Sequence, residues 1–406
     1  MSGPAHVLLL VDELRVCAPG GLLLDHALAL KDQGLEVTIL TSGGRLCREA
    51  EASGLTLMIR PLPAVSWRTT LAVRRLARRI RRRGVELIHA FGGAVAPLAA
   101  AMAHRIGCPL AVEVRSTADG AIAAEVGADV IFVSTEDLRT GLVTRRGVEK
   151  TRCRRLPPGV PGSLLADAGR DMSASPEASR VPAAEREEPA GSAPSADGAE
   201  SESVGESAGD SPDGEPASSP RPAVIGCCGP LDRVERERIL LDAVALGFTG
   251  PAPTVLVLGD GERRGEIWQH GLGLGLGESL LLALDQPRRR GLFALMDVYV
   301  DCAPDEVLSP DLLSAMAAGV PVITARSGGD RELLSEDGAE GLRVEPFAAG
   351  PLHEALGRLL ALTSAQRGAM GAAARQRVLT RFPMDRRVET TRAVYRELLE
   401  GRGTRG

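Results

Sequence analysis

The stretch from Val298 to Glu332 limits the fold of this chain more than any other. Val298-Tyr-Val reads as a strand, and a loop carrying Glu306 follows it. A helix is expected next. Asp311 is its first-turn acid, Leu312, Leu313, Ala315 and Met316 give it an apolar side, and Gly319 ends it. The β-branched run Val320, Val322, Ile323, Thr324 is a buried strand that ends in a second loop at Gly328-Gly329. In an open α/β sheet, ligands bind outside the carboxyl ends of the strands. Glu306 and Gly328-Gly329 both fall at such ends.

The same alternation runs through the rest of the chain. His6–Val11 is a continuous apolar run, as a strand buried on both faces requires. A loop ending in Gly20-Gly21 leads into a helix over Leu22–Leu30, and Glu36–Leu40 is the next strand. The two glycines allow backbone amides to approach an anion at the helix start, or they make a plain tight turn. Further strands are expected at Leu55–Ile59, Leu87–His89, Leu110–Val114 and Val130–Val133, with helices over Thr69–Arg83, Ala96–Ile106 and Asp137–Arg145. The pattern restarts at Ala223 and closes with helices over Leu352–Leu362, Ser364–Leu379 and Met384–Leu399. The expected architecture is therefore two Rossmann-like doubly wound α/β domains, residues 1–165 and 223–383, with a final helix and tail over 384–406.

Between the domains, residues 166–222 consist mainly of Ala, Ser, Gly, Pro and acids, without Leu, Ile or aromatics. Such a composition cannot bury enough apolar surface to offset chain entropy, so a disordered linker is expected. It holds thirteen acids against four arginines, so the whole-chain charge of −5 belongs to the linker and the remainder is net positive. Aromatics make up only 2% of the chain, so the cores must be aliphatic. The seven cysteines show no metal-type spacing, and reduced thiols in a cytoplasm are expected. No stretch is long and apolar enough to span a bilayer. The Thr69–Arg83 helix carries seven arginines, among them Arg74 and Arg83. Either they form a solvated face, or they make a peripheral contact with an anionic membrane surface at its inner face. No nucleic-acid module accompanies them.

The residues around Glu306 resemble the donor half of family 4 glycosyltransferases, which have the GT-B fold. Glu306, Ala315-Met316, Gly319 and Pro321-Val322 stand at the family's positions. His89-Ala-Phe-Gly92, Val133-Ser134 and Pro158-Gly159-Val160 resemble its shorter motifs. The resemblance covers nearly everything but the linker. It implies transfer of a sugar from a nucleotide-diphosphate sugar to an acceptor hydroxyl, with retention, without a metal or a separate cofactor, and with a last helix that crosses back onto the first domain.

Several positions depart from the family. Ser314 replaces the second carboxylate, Pro230 the phosphate-binding Arg, Glu235 the Lys, and Arg115 a His. Glu306, Arg115 and His89 are the catalytic candidates, with His89 read equally as a structural histidine at a strand end; Gly20, Gly21, Arg233, Ser314, Arg326, Gly328 and Gly329 are the candidates for donor contact. Arg115, Arg233, Arg236 and Arg326 are candidates to replace the lost cations. The acceptor, whether a glycan, a lipid-linked sugar or a small molecule, is not readable. Two other readings stand beside transfer: a catalytically inactive relative that binds or scaffolds, and a nucleotide-sugar 2-epimerase on the same fold.

Overall fold

A computed structural model describes residues 4–15, 20–66, 69–161, 221–283, 290–301, 308–325 and 329–403. Glu306, Arg326, Gly328 and nearly all of the linker lie outside the described residues.

The first domain is a seven-stranded sheet. Its strands are β1 (His6–Leu10), β2 (Glu36–Thr41), β3 (Thr56–Ile59), β4 (Leu87–Phe91), β5 (Leu110–Val114), β6 (Val130–Val133) and β7 (Cys153–Arg155). They lie in the order β3-β2-β1-β4-β5-β6-β7, and all pairs are parallel. The helices are α1 (Gly20–Asp32), α2 (Cys47–Ala52), α3 (Thr70–Arg81), α4 (Ala96–Ile106), α5 (Thr117–Glu125) and α6 (Glu136–Arg146). One core packs α3, α4, α5 and α6 on one face of the sheet, and a second packs α1 and α2 on the other.

The second domain repeats the plan with six parallel strands: β8 (Val224–Cys228), β9 (Thr254–Leu258), β10 (Leu280–Ala283), β11 (Val298–Asp301), β12 (Val322–Ala325) and β13 (Gly341–Val344). Their order is β10-β9-β8-β11-β12-β13. Its helices are α7 (Glu235–Ala245), α8 (Arg264–Gly273), α9 (Arg290–Phe293), α10 (Pro310–Ala317), α11 (Asp330–Leu333), α12 (Ala349–Leu360) and α13 (Ser364–Arg381). Arg221, within the expected linker, already belongs to this domain, because its guanidinium holds both carboxylate oxygens of Asp297 at 2.9 and 3.1 Å.

The segment that shaped the sequence reading folds as expected where it is described. Ser309 caps α10 by accepting the Leu312 amide at 3.3 Å, Pro310 fits the first turn, and Gly319 leaves the helix at φ 80°. Behind that turn α13 crosses so closely that a Cβ on Gly371 would stand 1.8 Å from the Gly319 carbonyl oxygen.

Several elements differ from the sequence reading, among them the short helices α2 and α11, which it did not place. Gly20 and Gly21 form the first turn of α1 rather than a loop before it. A Cβ on Gly20 would lie 2.1 Å from the Arg15 carbonyl oxygen, so close backbone approach explains that glycine. Helix α5 was not expected, because Gly120 breaks its apolar pattern; the glycine makes room for Leu142 of α6. Strand β7 is three residues long with two exposed arginines, too short and polar to show a period.

The last helix, α14 (Met384–Gly403), leaves the second domain and packs on α1 of the first. It begins at a backbone clasp in which Val160 donates to Phe382 at 2.8 Å and accepts from Met384 at 3.0 Å.

Candidate active site

The loops at the carboxyl ends of the two sheets meet. Arg15, after β1, pairs with Asp232, after β8, at 2.5 Å. Arg45, after β2, pairs with Asp260, after β9, at 2.9 Å. Ser134, after β6, accepts the Leu308 amide at 3.3 Å. Arg155 of β7 pairs with Glu332 of α11, whose Oε1 also accepts the Glu136 amide at 3.4 Å. Both sheets thus present their ligand-binding edges to one cleft.

In the cleft lies a cavity of about 20 Å³. Phe91, Glu113, Arg115 and Ser134 line it from the first domain, and Leu308 and Pro310 from the second. It holds little more than one water. Toward the β1–β8 side a pocket of about 340 Å³ is rimmed by the Arg15–Asp232 and Arg45–Asp260 pairs. Any ligand larger than a water enters the inner cavity only if the domains part, and those exposed pairs cost little to break, about 0–1 kcal/mol each.

Beneath the cavity is a buried polar cluster. Arg387 of α14 donates to Glu113 at 2.5 Å and to the carbonyls of Leu156 and Pro157 at 3.3 and 2.9 Å. Glu113 Oε2 lies 3.9 Å from His89 Nε2, and His89 Nδ1 lies 2.7 Å from the Tyr395 hydroxyl. The His26 ring stands edge-on to His89, with centroids 6.2 Å apart, and neither of its nitrogens has a hydrogen-bond partner. Burial, and then the Arg387 charge, hold both imidazoles well below the ordinary histidine range. Burial likewise pushes the Tyr395 phenol well up.

The sequence candidates separate in space. Arg115 lines the inner cavity, and Gly20 and Gly21 open α1 beside it, next to the lining residue Leu22. His89 is fully buried under Phe91, outside the lining, so the structure gives it a packing and hydrogen-bonding place. Of the two readings of His89, the structural one fits and the catalytic one does not, because a ring with no exposed surface touches no substrate here. Ser314 turns its hydroxyl to the Pro310 carbonyl at 2.8 Å, within its own helix. Gly329 is buried in the turn before α11.

Among the substitute cations, Arg233 is exposed. Arg236 folds back over Gly229 to Asp301 and Glu237, at 3.5 Å from each. Glu235 is exposed and pairs with Arg263 at 3.4 Å. Its own backbone amide, and then Arg263, hold its carboxyl below the ordinary value. The sequence reading missed Glu113, Arg387 and Tyr395. Glu113 and Arg387 are 274 positions apart, and no local pattern links them. Among the described residues, no group of three or more His, Cys, Asp or Glu is placed to hold a metal, and no helix is long and apolar enough to cross a membrane.

Two parallel doubly wound sheets that face each other over a cleft, with the last helix returning to the first, define the GT-B class. Residues 23–159 match the family described as Glycosyl transferase 4-like domain, and residues 222–362 match Glycosyl transferases group 1. The chain belongs to this family of GT-B glycosyltransferases.

A segment of 114 residues, 28% of the chain, is 33% identical to the lipopolysaccharide core biosynthesis glycosyltransferase LpsE of Rhizobium meliloti. That match spans 32% of the relative's length. Among solved structures, a glycosyltransferase from Rickettsia africae superposes with a TM-score of 0.70 at 14% identity, over 98% of this chain and 99% of that one. Anabaena HepE, solved with UDP and glucose, superposes with a TM-score of 0.72 at 15% identity, over 96% and 98%. These likenesses establish the fold.

Proposed function

We propose that this protein transfers a sugar from a nucleotide-diphosphate sugar to an acceptor hydroxyl, with retention and without a metal. In that reaction the bond from the anomeric carbon to the diphosphate breaks and a bond to the acceptor oxygen forms. The acceptor proton leaves with the diphosphate. The observation that supports it most is the position of Arg115, a lining residue of the inner cavity that both carboxyl edges share. A fixed cation there stabilises the charge that develops on the departing diphosphate. Glu306, which precedes Leu308 of the cavity lining, is the candidate sugar ligand by resemblance alone.

HepE was solved with UDP, so uridine nucleotides are the first donors to try. LpsE acts in lipopolysaccharide core biosynthesis, so a lipid-linked glycan is the first acceptor class. The exposed arginines of α3 suit an acceptor held at an anionic membrane surface.

Calorimetric titration with UDP, GDP, ADP and their sugar conjugates tests the donor site. Saturable binding of one nucleotide, weakened by Arg115→Ala, is the expected result. Absence of binding by every nucleotide at millimolar concentration would sink the reading.

A non-catalytic binding protein is the second reading. It is favoured by the β8–α7 loop and the first turn of α7, where Pro230 and Glu235 stand in place of two cations, and where Arg236 is already engaged by Asp301 and Glu237. Nucleotide binding without hydrolysis or transfer to any supplied acceptor would support it.

A further inference from the structure

The cleft leaves one large concavity unused. At the outer edge of the first sheet, β7, the turn before it, α6 and α14 enclose a groove of about 650 Å³. That size is within the roughly 300–1,000 Å³ of small-ligand sites. Arg139, Lys150, Arg154 and Arg155 line it, against one acid, Glu397. Thr151 and Thr390 add hydroxyls. The cations arrive from α6 and from the Lys150–Arg155 run, so no single solvated helix face accounts for their convergence.

The arginines rest on carboxylates: Arg139 on Glu136 at 2.7 Å, Arg154 on Glu397 at 3.1 Å, and Arg155 on Glu332. Such pairs are weak where solvent screens them. A phosphate dianion offers three acceptor oxygens to several donors at once, and it competes well against single carboxylates.

We propose that this groove binds a phosphomonoester group through Lys150, Arg154 and Arg155. Arg155 is the consequential ligand. Its present partner, Glu332, lies on the second domain, three residues beyond Gly329. A phosphate that takes Arg155 removes one of the bonds that hold the domains together, so binding favours the parted state in which the cleft admits ligand. A free phosphorylated sugar and a lipid headgroup share this chemistry.

The full chain is titrated calorimetrically with inorganic phosphate, and in parallel sedimented with phosphatidylcholine vesicles with and without phosphatidic acid. Saturable phosphate binding is expected, weakened at least roughly tenfold by the double substitution Lys150→Ala/Arg154→Ala and unchanged by Arg115→Ala. Lys150 and Arg154 are exposed, so the fold should survive their loss, and a circular dichroism melt checks this. Phosphatidic-acid vesicles that retain the protein, but not the double variant, assign the source to lipid. Phosphate binding without vesicle retention assigns it to a free anion. Equal phosphate affinity in the double variant, or no saturable binding by the unaltered chain, overturns the site. Phosphate should also raise the radius of gyration measured by X-ray scattering; phosphate binding with no such change overturns the link to the domains.

Discussion

Arg387, on the final helix, donates to Glu113, at the end of β5, with 2.5 Å between Nη2 and Oε2. The contact joins the last element of the chain to the floor of the cleft. Arg387 is 2% exposed, so its charge has no recourse to water. Removing one partner of such a pair leaves a buried charge and costs about 3–5 kcal/mol, whereas replacing both with apolar groups is often neutral. Glu113→Ala should therefore destabilise the protein severely. Glu113→Leu combined with Arg387→Met should recover much of the loss. Urea unfolding of the single and double variants measures this; equal losses in both would show that the pair is not coupled.

The two buried histidines set a pH dependence. His26 and His89 are held neutral in the fold, well below the ordinary value of 6.5, by burial and by Arg387. The unfolded chain takes up protons near that value while the folded chain does not. Their stabilising share is thus complete at pH 7 and above, and is lost as pH falls below about 6.5, at up to about 1.4 kcal/mol per pH unit for each ring. His26→Leu should flatten the slope of stability against pH between neutral and pH 5. An unchanged slope would place His26 in contact with water.

Two glycines with crowded Cβ positions should respond differently. A Cβ on Gly371 meets the Gly319 backbone at 1.8 Å, so Gly371→Ala must push α13 away from the turn after α10. A loss of about 1–3 kcal/mol is expected. A Cβ on Gly229 meets only the tip of Arg236, at 1.9 Å from Nη2, and a flexible side chain can move aside. Thermal melts should show a clear shift for Gly371→Ala and a small one for Gly229→Ala.

The first turn of α7 offers a gain-of-function test. Glu235 is exposed and anionic where the family resemblance places a cation for the diphosphate. Glu235→Lys should tighten UDP binding by roughly tenfold, the equivalent of one charge-assisted bond to phosphate. Unchanged affinity would mean that the nucleotide phosphates do not reach this turn.

The sequence by itself determined the two sheets. Strands buried on both faces must be continuous apolar runs, and glycine and proline stops mark where each turns, so His6–Leu10 or Val322–Ala325 could be placed without coordinates. The return of the last helix came from the family resemblance and not from any pattern in the sequence. Sequence pattern failed at α2, α5, β7 and α11, whose short or glycine-broken patterns carry no period. Tertiary structure alone decided the site. Arg115 is a lining residue of the inner cavity, whereas Arg236 is held by Asp301 and Glu237, although both are arginines near strand ends. His89 is buried because Tyr395, 306 positions later, returns to bond it. Local pattern fixes which residues form a strand or a helix. The direction in which a charge points depends on partners that only the folded chain brings near.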